Sequence, residues 1–119
     1  MRLAQKRILD TLAGTKDIEG SMVYIIAYLT AHKGKGDDVV SLAAPLIEAT
    51  RREAGCISYD LYRKPADPDA LVFVETWKDK AAVDAHFEEP HLKAFQAAMA
   101  DLLIEARIEL VSPEKVEVL

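Results

Sequence analysis

Between Met22 and Ala31 the sequence reads MVYIIAYLTA, and both of its alternating residue sets, Val23, Ile25, Leu29 and Tyr24, Ile26, Tyr28, are apolar or aromatic. Such residues favour extended backbone, and a strand with no polar side has to be covered on both faces. An all-helical fold is thereby excluded, and a sheet with something packed against each face is required. A chain of 119 residues has material for one core, burying roughly 65% of its extended-chain surface. One layer of helices covers one face of the sheet; the other face needs a partner.

The remaining segments supply that helix layer. HKGKGDD is a polar turn, after which Val39, Leu42, Ala43, Leu46, Ile47 and Ala49 recur at helical spacing to about Glu53. Pro45 predicts a kink or a late start in this helix, because proline removes a backbone donor and clashes with the preceding turn. Gly55 ends it, and CISYDLYRK alternates as a strand with one wetter face. PADPDA is a turn, and ALVFVETWK returns with Leu71, Phe73, Glu75 and Trp77 on one face and Val72, Val74 and Thr76 on the other. Asp79 can cap a short helix carrying Val83, His86 and Phe87; Pro90 interrupts it and opens another. Leu92, Phe95, Met99, Leu102, Leu103 and Ala106 form the stripe of that second piece, and RIELVS and KVEVL supply a last strand.

The order is β-α-β-β-α-β with the second helix split near Pro90. Right-handed crossovers put both helices on the same side of a four-stranded antiparallel sheet, an α+β fold of ferredoxin-like type. The bare face, apolar on two strands, predicts a homodimer formed by stacking sheet faces. Residues 1–21 differ in character from the rest of the chain and read as an N-terminal extension, with the domain spanning 22–119.

Several classes of function are excluded by charge and composition. A net charge of -5 disfavours nucleic acid and anionic membrane, both of which need a basic face. Apolar runs are too short to span a bilayer. With a single cysteine, Cys56, no intrachain disulfide can form, and the N-terminus lacks the continuous apolar stretch of a secretory signal, so a cytoplasmic protein is expected. Small molecules and protein partners remain.

Chemistry concentrates in ETWKDKAAVDAHFEEPHLKAF, residues 75–95. On one continuous helix His86 and His91 would lie about 140° apart, and Pro90 breaks the helix between them. No third ligand or metal-binding spacing is visible, so no metal site is expected. His86 shares a helix face with Val83 and Phe87 and should point at the sheet face bearing Phe73, Glu75 and Trp77. There it serves either as a general base or as a packing residue that donates one hydrogen bond. Glu75, on an otherwise apolar strand face, must bond His86, pair with a cation such as Arg107, or meet a ligand.

The stretches EAGCISYDLY (53–62) and FVETWKDKAAVDAHFEEPHLKAF (73–95) resemble the antibiotic biosynthesis monooxygenase domain family of dimeric α/β-barrel proteins, over about Met22 to Pro113. The resemblance implies a homodimer through the sheet faces and a cavity between sheet and helices for a small hydrophobic or aromatic ligand. It also implies oxygenase chemistry without flavin, haem or metal, on a small phenolic, quinol or polycyclic substrate. Carried over, His86 would be the base or hydrogen-bond donor, Glu75 its orienting group, Trp77 a wall and His91 a polar contact at the mouth. Phe73, Tyr28, Tyr59, Phe87 and Phe95 would line the rest. The chain contains no asparagine, unlike haem-degrading relatives, which argues against haem breakdown. The alternatives are a non-catalytic dimeric module that binds a small ligand or serves in stress, and an isomerase of a phosphorylated signalling sugar.

Overall fold

A computed structural model describes residues 22–119; the extension expected over residues 1–21 lies outside the described residues. Strand β1 (Val23–Ala31) leads into helix α1 (Gly36–Thr50), strands β2 (Cys56–Lys64) and β3 (Asp67–Trp77), helices α2 (Lys80–Phe87) and α3 (Pro90–Met99), and strand β4 (Leu103–Val111). The strands form one sheet in the order β2-β3-β1-β4, every neighbouring pair antiparallel. This is the expected ferredoxin-like α+β arrangement.

The apolar alternation in β1 and β3 decides where the core sits. Val23, Ile25, Ala27, Leu29 and Ala31 of β1 are buried, as are Leu71, Phe73, Glu75 and Trp77 of β3. Against them pack Val39, Ala43 and Leu46 of α1, Val83 of α2, and Leu92, Phe95 and Met99 of α3. Ile25, Val39 and Phe73 are at most 3% exposed, and each such side chain stabilises the fold by roughly 1.5–3 kcal/mol. No helix among the described residues covers the opposite face: Tyr24 and Ile26 are half-buried and Tyr28 is exposed. Among the described residues, edge strand β4 pairs only with β1 and leaves Ile104, Ile108 and Leu110 exposed.

Local departures from the sequence reading have physical reasons. Helix α1 starts at Gly36 and passes through Pro45 without a late start, its buried Val39, Ala43, Leu46 and Thr50 being held against the sheet on both sides of the proline. It stops at Thr50 rather than Glu53. The stripe assigned to the last helix ends at Met99; Leu103 and Ala106 belong to β4, where an apolar residue suits a sheet equally well. KVEVL forms no strand. The β2-β3 turn is tighter than PADPDA, since β3 begins at Asp67.

Asp69, near the hairpin, fastens the start of α1. Its Oδ2 accepts the Gly34 N–H at 3.0 Å and its Oδ1 the Gly36 N–H at 2.8 Å. The approach is so close that a Cβ on Gly36 would lie 2.0 Å from the Pro68 carbonyl oxygen.

Candidate functional site

The site is assembled where the α1-β2 loop meets the α2-α3 corner. After α1, Glu53 is fixed on both sides: its N–H donates to Thr50 O at 3.0 Å and its carbonyl accepts from Cys56 N–H at 3.1 Å. The Gly55 carbonyl then accepts from Lys78 N–H at 2.9 Å, and Gly55 passes directly under α2, where a Cβ would come 2.2 Å from Ala82 Cβ. Only glycine allows this approach, and it brings α2 down onto the loop. Asp79 caps α2 as expected, its Oδ1 accepting from Ala82 N–H at 2.8 Å. Val83 and His86, one turn apart, are the buried pair of that helix. The chain turns at Glu88 and Glu89, and Pro90 opens α3 in its first turn, where a missing N–H costs nothing.

This corner turns both histidines back toward the same residue. Glu53 Oε2 lies 2.8 Å from His86 Nδ1 and 2.7 Å from His91 Nε2. The His86 side chain is 1% exposed, that of Glu53 12% and that of His91 22%, so the cluster leads from the core to the surface. Glu89 Oε2 stands 3.8 Å from His91 Nδ1 at the outer end. On the inner side the His86 ring lies on Trp77, centroids 4.6 Å apart, and meets the Tyr59 ring edgewise at 5.4 Å. Trp77 Nε1–H in turn donates to Glu75 Oε1 at 2.9 Å. Trp77 therefore touches both candidate groups, one through its face and the other through its edge.

Beside these groups is a cavity of about 430 Å³ between the sheet and α2-α3. Its lining is mostly apolar, with Ile25, Phe73, Phe87, Leu92, Phe95 and Met99 prominent. Glu75, His86, Gln96 and Glu105 are the polar interruptions, and among the described residues no lysine or arginine contributes. Ala106 and Ile108 of β4 close the side away from the α1-β2 loop.

Burial sets the electrostatics. Glu75 is pushed up to about 7, chiefly because desolvation penalises its charge; the Trp77 hydrogen bond opposes that rise and the Glu53 charge adds to it. His86 is held below the ordinary imidazole value by burial, with the Glu53 hydrogen bond and charge pulling the other way. Burial also raises the Tyr59 phenol and moves the Cys56 thiol up to about 11, with Glu53 and Glu75 contributing. Cys56 is therefore no thiolate nucleophile at neutral pH.

The sequence-derived candidates separate accordingly. Phe73, Glu75, Tyr59, His86, Phe87 and Phe95 meet at the cavity. Trp77, fully buried, stands behind His86 and Glu75 rather than in the lining. His91 is likewise not in the lining; it reaches Glu53 instead. Tyr28 lies across the sheet, since side chains alternate along β1 and its neighbour Leu29 faces the core. Glu75 does not hold His86: it bonds Trp77, while Arg107, near the surface, pairs with Glu109 at 2.8 Å. The carboxylate in contact with His86 is Glu53, which the sequence reading did not single out. Its signal was the E-x-G-C stretch, where a glycine permitting close approach follows an acid at a helix end.

Glu53, His86 and His91 are also the groups with which the described residues could hold a cation, their ligand atoms all lying within 4.8 Å of one another. The 2.7 and 2.8 Å separations from Glu53 are hydrogen-bond lengths. Ligands about 2.1 Å from a first-row ion stand about 3 Å or more from each other. The cluster thus has the geometry of a hydrogen-bonded one.

Comparison with known proteins gives a consistent result. Residues 22–98 match the family model described as antibiotic biosynthesis monooxygenase. YcnE of Bacillus subtilis is 33% identical over 93 residues, covering 78% of this chain and 97% of that protein. The Escherichia coli protein named probable quinol monooxygenase YgiN is 26% identical over 102 residues, covering 77% and 98%. Among solved structures, protein SO0527 from Shewanella oneidensis superposes with a TM-score of 0.73 at 32% identity, covering 79% of this chain and 92% of that one. No helix among the described residues is long and apolar enough to cross a membrane.

Proposed function

The chain belongs to the antibiotic biosynthesis monooxygenase family, and from that premise we propose that it oxygenates a small phenolic, quinol or polycyclic substrate with His86 as the base. The observation that carries the reading is a cavity of about 430 Å³, of a size that suits a small flat ligand, with a buried imidazole and a buried carboxyl in a mostly apolar lining. Burial favours the neutral form of His86, the form able to accept a proton. Glu75, at about 7, retains its proton over the slightly acid range and can donate to a substrate oxygen.

The proposed chemistry needs no resident cofactor, because the substrate supplies the electrons. His86 removes an acidic hydroxyl proton, and the resulting anion passes an electron to dioxygen. Recombination forms a carbon–oxygen bond, and cleavage of the O–O bond releases the second oxygen as water. For a hydroquinone the sum is hydroquinone plus dioxygen giving hydroxyquinone plus water, with four electrons moving from substrate to oxygen. The apolar lining shields the anion and radical from water, and the aromatic residues orient the ring.

Oxygen uptake with a panel of hydroquinones tests this reading. His86→Ala is expected to lower turnover on the order of 10²- to 10⁴-fold; unchanged turnover removes His86 from the chemistry. Ligand-induced thermal stabilisation with no turnover by the wild type points instead to a binding module. Among the described residues the lining offers no cation to a phosphate, which gives the isomerase reading no support from them. The open sheet face, with Tyr24, Ile26, Tyr28 and Tyr62, is proposed to pair with a second copy. A monomer in analytical ultracentrifugation at micromolar concentration would refute that pairing.

A further inference from the structure

We infer that Glu53 is the positioning residue for His86: its carboxylate holds the imidazole with the proton on Nδ1, so that Nε2 presents its lone pair to the cavity. This rests on the reading of His86 as the base and specifies which nitrogen does the work. An ionised carboxylate can only accept, so the 2.8 Å contact to Nδ1 and the 2.7 Å contact to His91 Nε2 each require the proton on the imidazole. His91 is the second donor to the same oxygen, and it limits the carboxylate's freedom to turn away from His86.

Other neighbours of His86 do not set its tautomer. Trp77 offers a ring face at 4.6 Å, Tyr59 a ring at 5.4 Å and Phe87 a ring at 5.8 Å, all of them contacts that pack the imidazole without distinguishing its nitrogens. Glu53 does distinguish them, and it is itself immobilised by backbone hydrogen bonds to Thr50 and Cys56. The split helix is essential to this arrangement. Residues five apart on an unbroken helix diverge by about 140°, whereas the corner ahead of Pro90 brings both rings to one oxygen. A cation held by the same three groups would occupy Nδ1 and leave the proton on Nε2, so the tautomer itself separates the two possibilities.

The test is NMR of the ¹⁵N-labelled histidine rings in the full-length wild type, E53Q and E53D, with resonances assigned through H86A and H91A. Wild type and E53D are expected to show His86 protonated on Nδ1. In E53Q the amide can offer its own N–H to Nδ1, which moves His86 toward the Nε2–H form. In the hydroquinone oxygen-uptake assay, kcat of E53Q should then fall on the order of 100-fold, with KM changing by less than about 3-fold. Wild type protonated on Nε2, or an identical tautomer in wild type and E53Q, overturns the inference. So does a stoichiometric divalent metal in the purified protein whose removal by chelator shifts the His86 resonances. Should H86A retain oxygen uptake while E53Q still switches the tautomer, the base reading fails and the positioning role stands. Should H86A abolish uptake while E53Q alters neither tautomer nor kcat, the reverse holds.

Discussion

Two carboxylates, at opposite ends of helix α1, do similar geometric work with different partners. Asp69 meets the start of the helix and accepts two backbone N–H groups, from Gly34 and Gly36. Glu53 follows its end and meets two imidazoles, those of His86 and His91. Each lies beside a glycine that allows an approach no side chain would tolerate, Gly36 under Pro68 and Gly55 under Ala82. The difference lies in what can change. Backbone amides keep their protons at every pH of interest, so the Asp69 end is a fastener. Imidazoles can take up, lose and relocate protons, so the same kind of acceptor at the Glu53 end is the one proposed to bear on chemistry.

The strongest challenge to that contrast is Gly36→Ala, whose Cβ would meet a backbone carbonyl that cannot swing aside. A loss of about 3 kcal/mol or more is expected in chemical denaturation, with the His86 tautomer unchanged in whatever fraction remains folded. Next is Glu75→Gln, which isolates a buried carboxyl that has no paired cation among the described residues. The folded-state pKa of Glu75, about 7, lies above its ordinary 4.5. Its contribution is therefore fully present below about pH 4.5 and is lost as pH rises through about 7. The glutamine variant, which still accepts from Trp77, should flatten this slope and gain up to about 3 kcal/mol relative to wild type near pH 8. Equal pH slopes in the two proteins would show that Glu75 ionises normally.

Gly55→Ala should cost less, about 2 kcal/mol, because it meets a side-chain methyl on a helix that can shift. Unlike Gly36→Ala, it should disturb the His86 resonances by lifting α2 away from Glu53; a destabilised variant with wild-type histidine signals would break the proposed contrast. The smallest effect is expected from Asp69→Asn. Hydrogen bonds from Gly34 and Gly36 hold the Asp69 carboxyl below its ordinary value. Its stabilisation is thus present above the unfolded-state pKa and lost as pH falls through the lower folded one. Thermal melts should show the variant slightly less stable at neutral pH and converging with wild type in acid.

Most of the architecture was legible in the sequence because it follows from local periodicity. The alternation in β1 and β3, the Asp79 cap and the Pro90 break each leave a signal within a few residues. The misreadings fall where local signals are ambiguous: Leu103 and Ala106 extend a helical stripe and also suit a strand. Tyr28 shows another limit, since its parity already assigned it to the face opposite Leu29 while the family likeness drew it toward the cavity. The Glu53 cluster was not legible, because its members lie 33 and 38 residues apart and meet only after Gly55 has let the loop pass beneath α2. Metal ligation looked remote for the same reason: the third polar group was hidden by chain distance.

Strand β4 leaves the cavity open to reshaping from one side. It borders the cavity through Ala106 and Ile108, yet among the described residues it pairs with only one neighbouring strand and carries none of the residues in contact with His86. A change at Ile108 can reshape what fits without disturbing the imidazole, the indole or the carboxyls of Glu53 and Glu75. The shape of the cavity can therefore drift among descendants of this chain while the Glu53, His86 and His91 cluster is inherited intact.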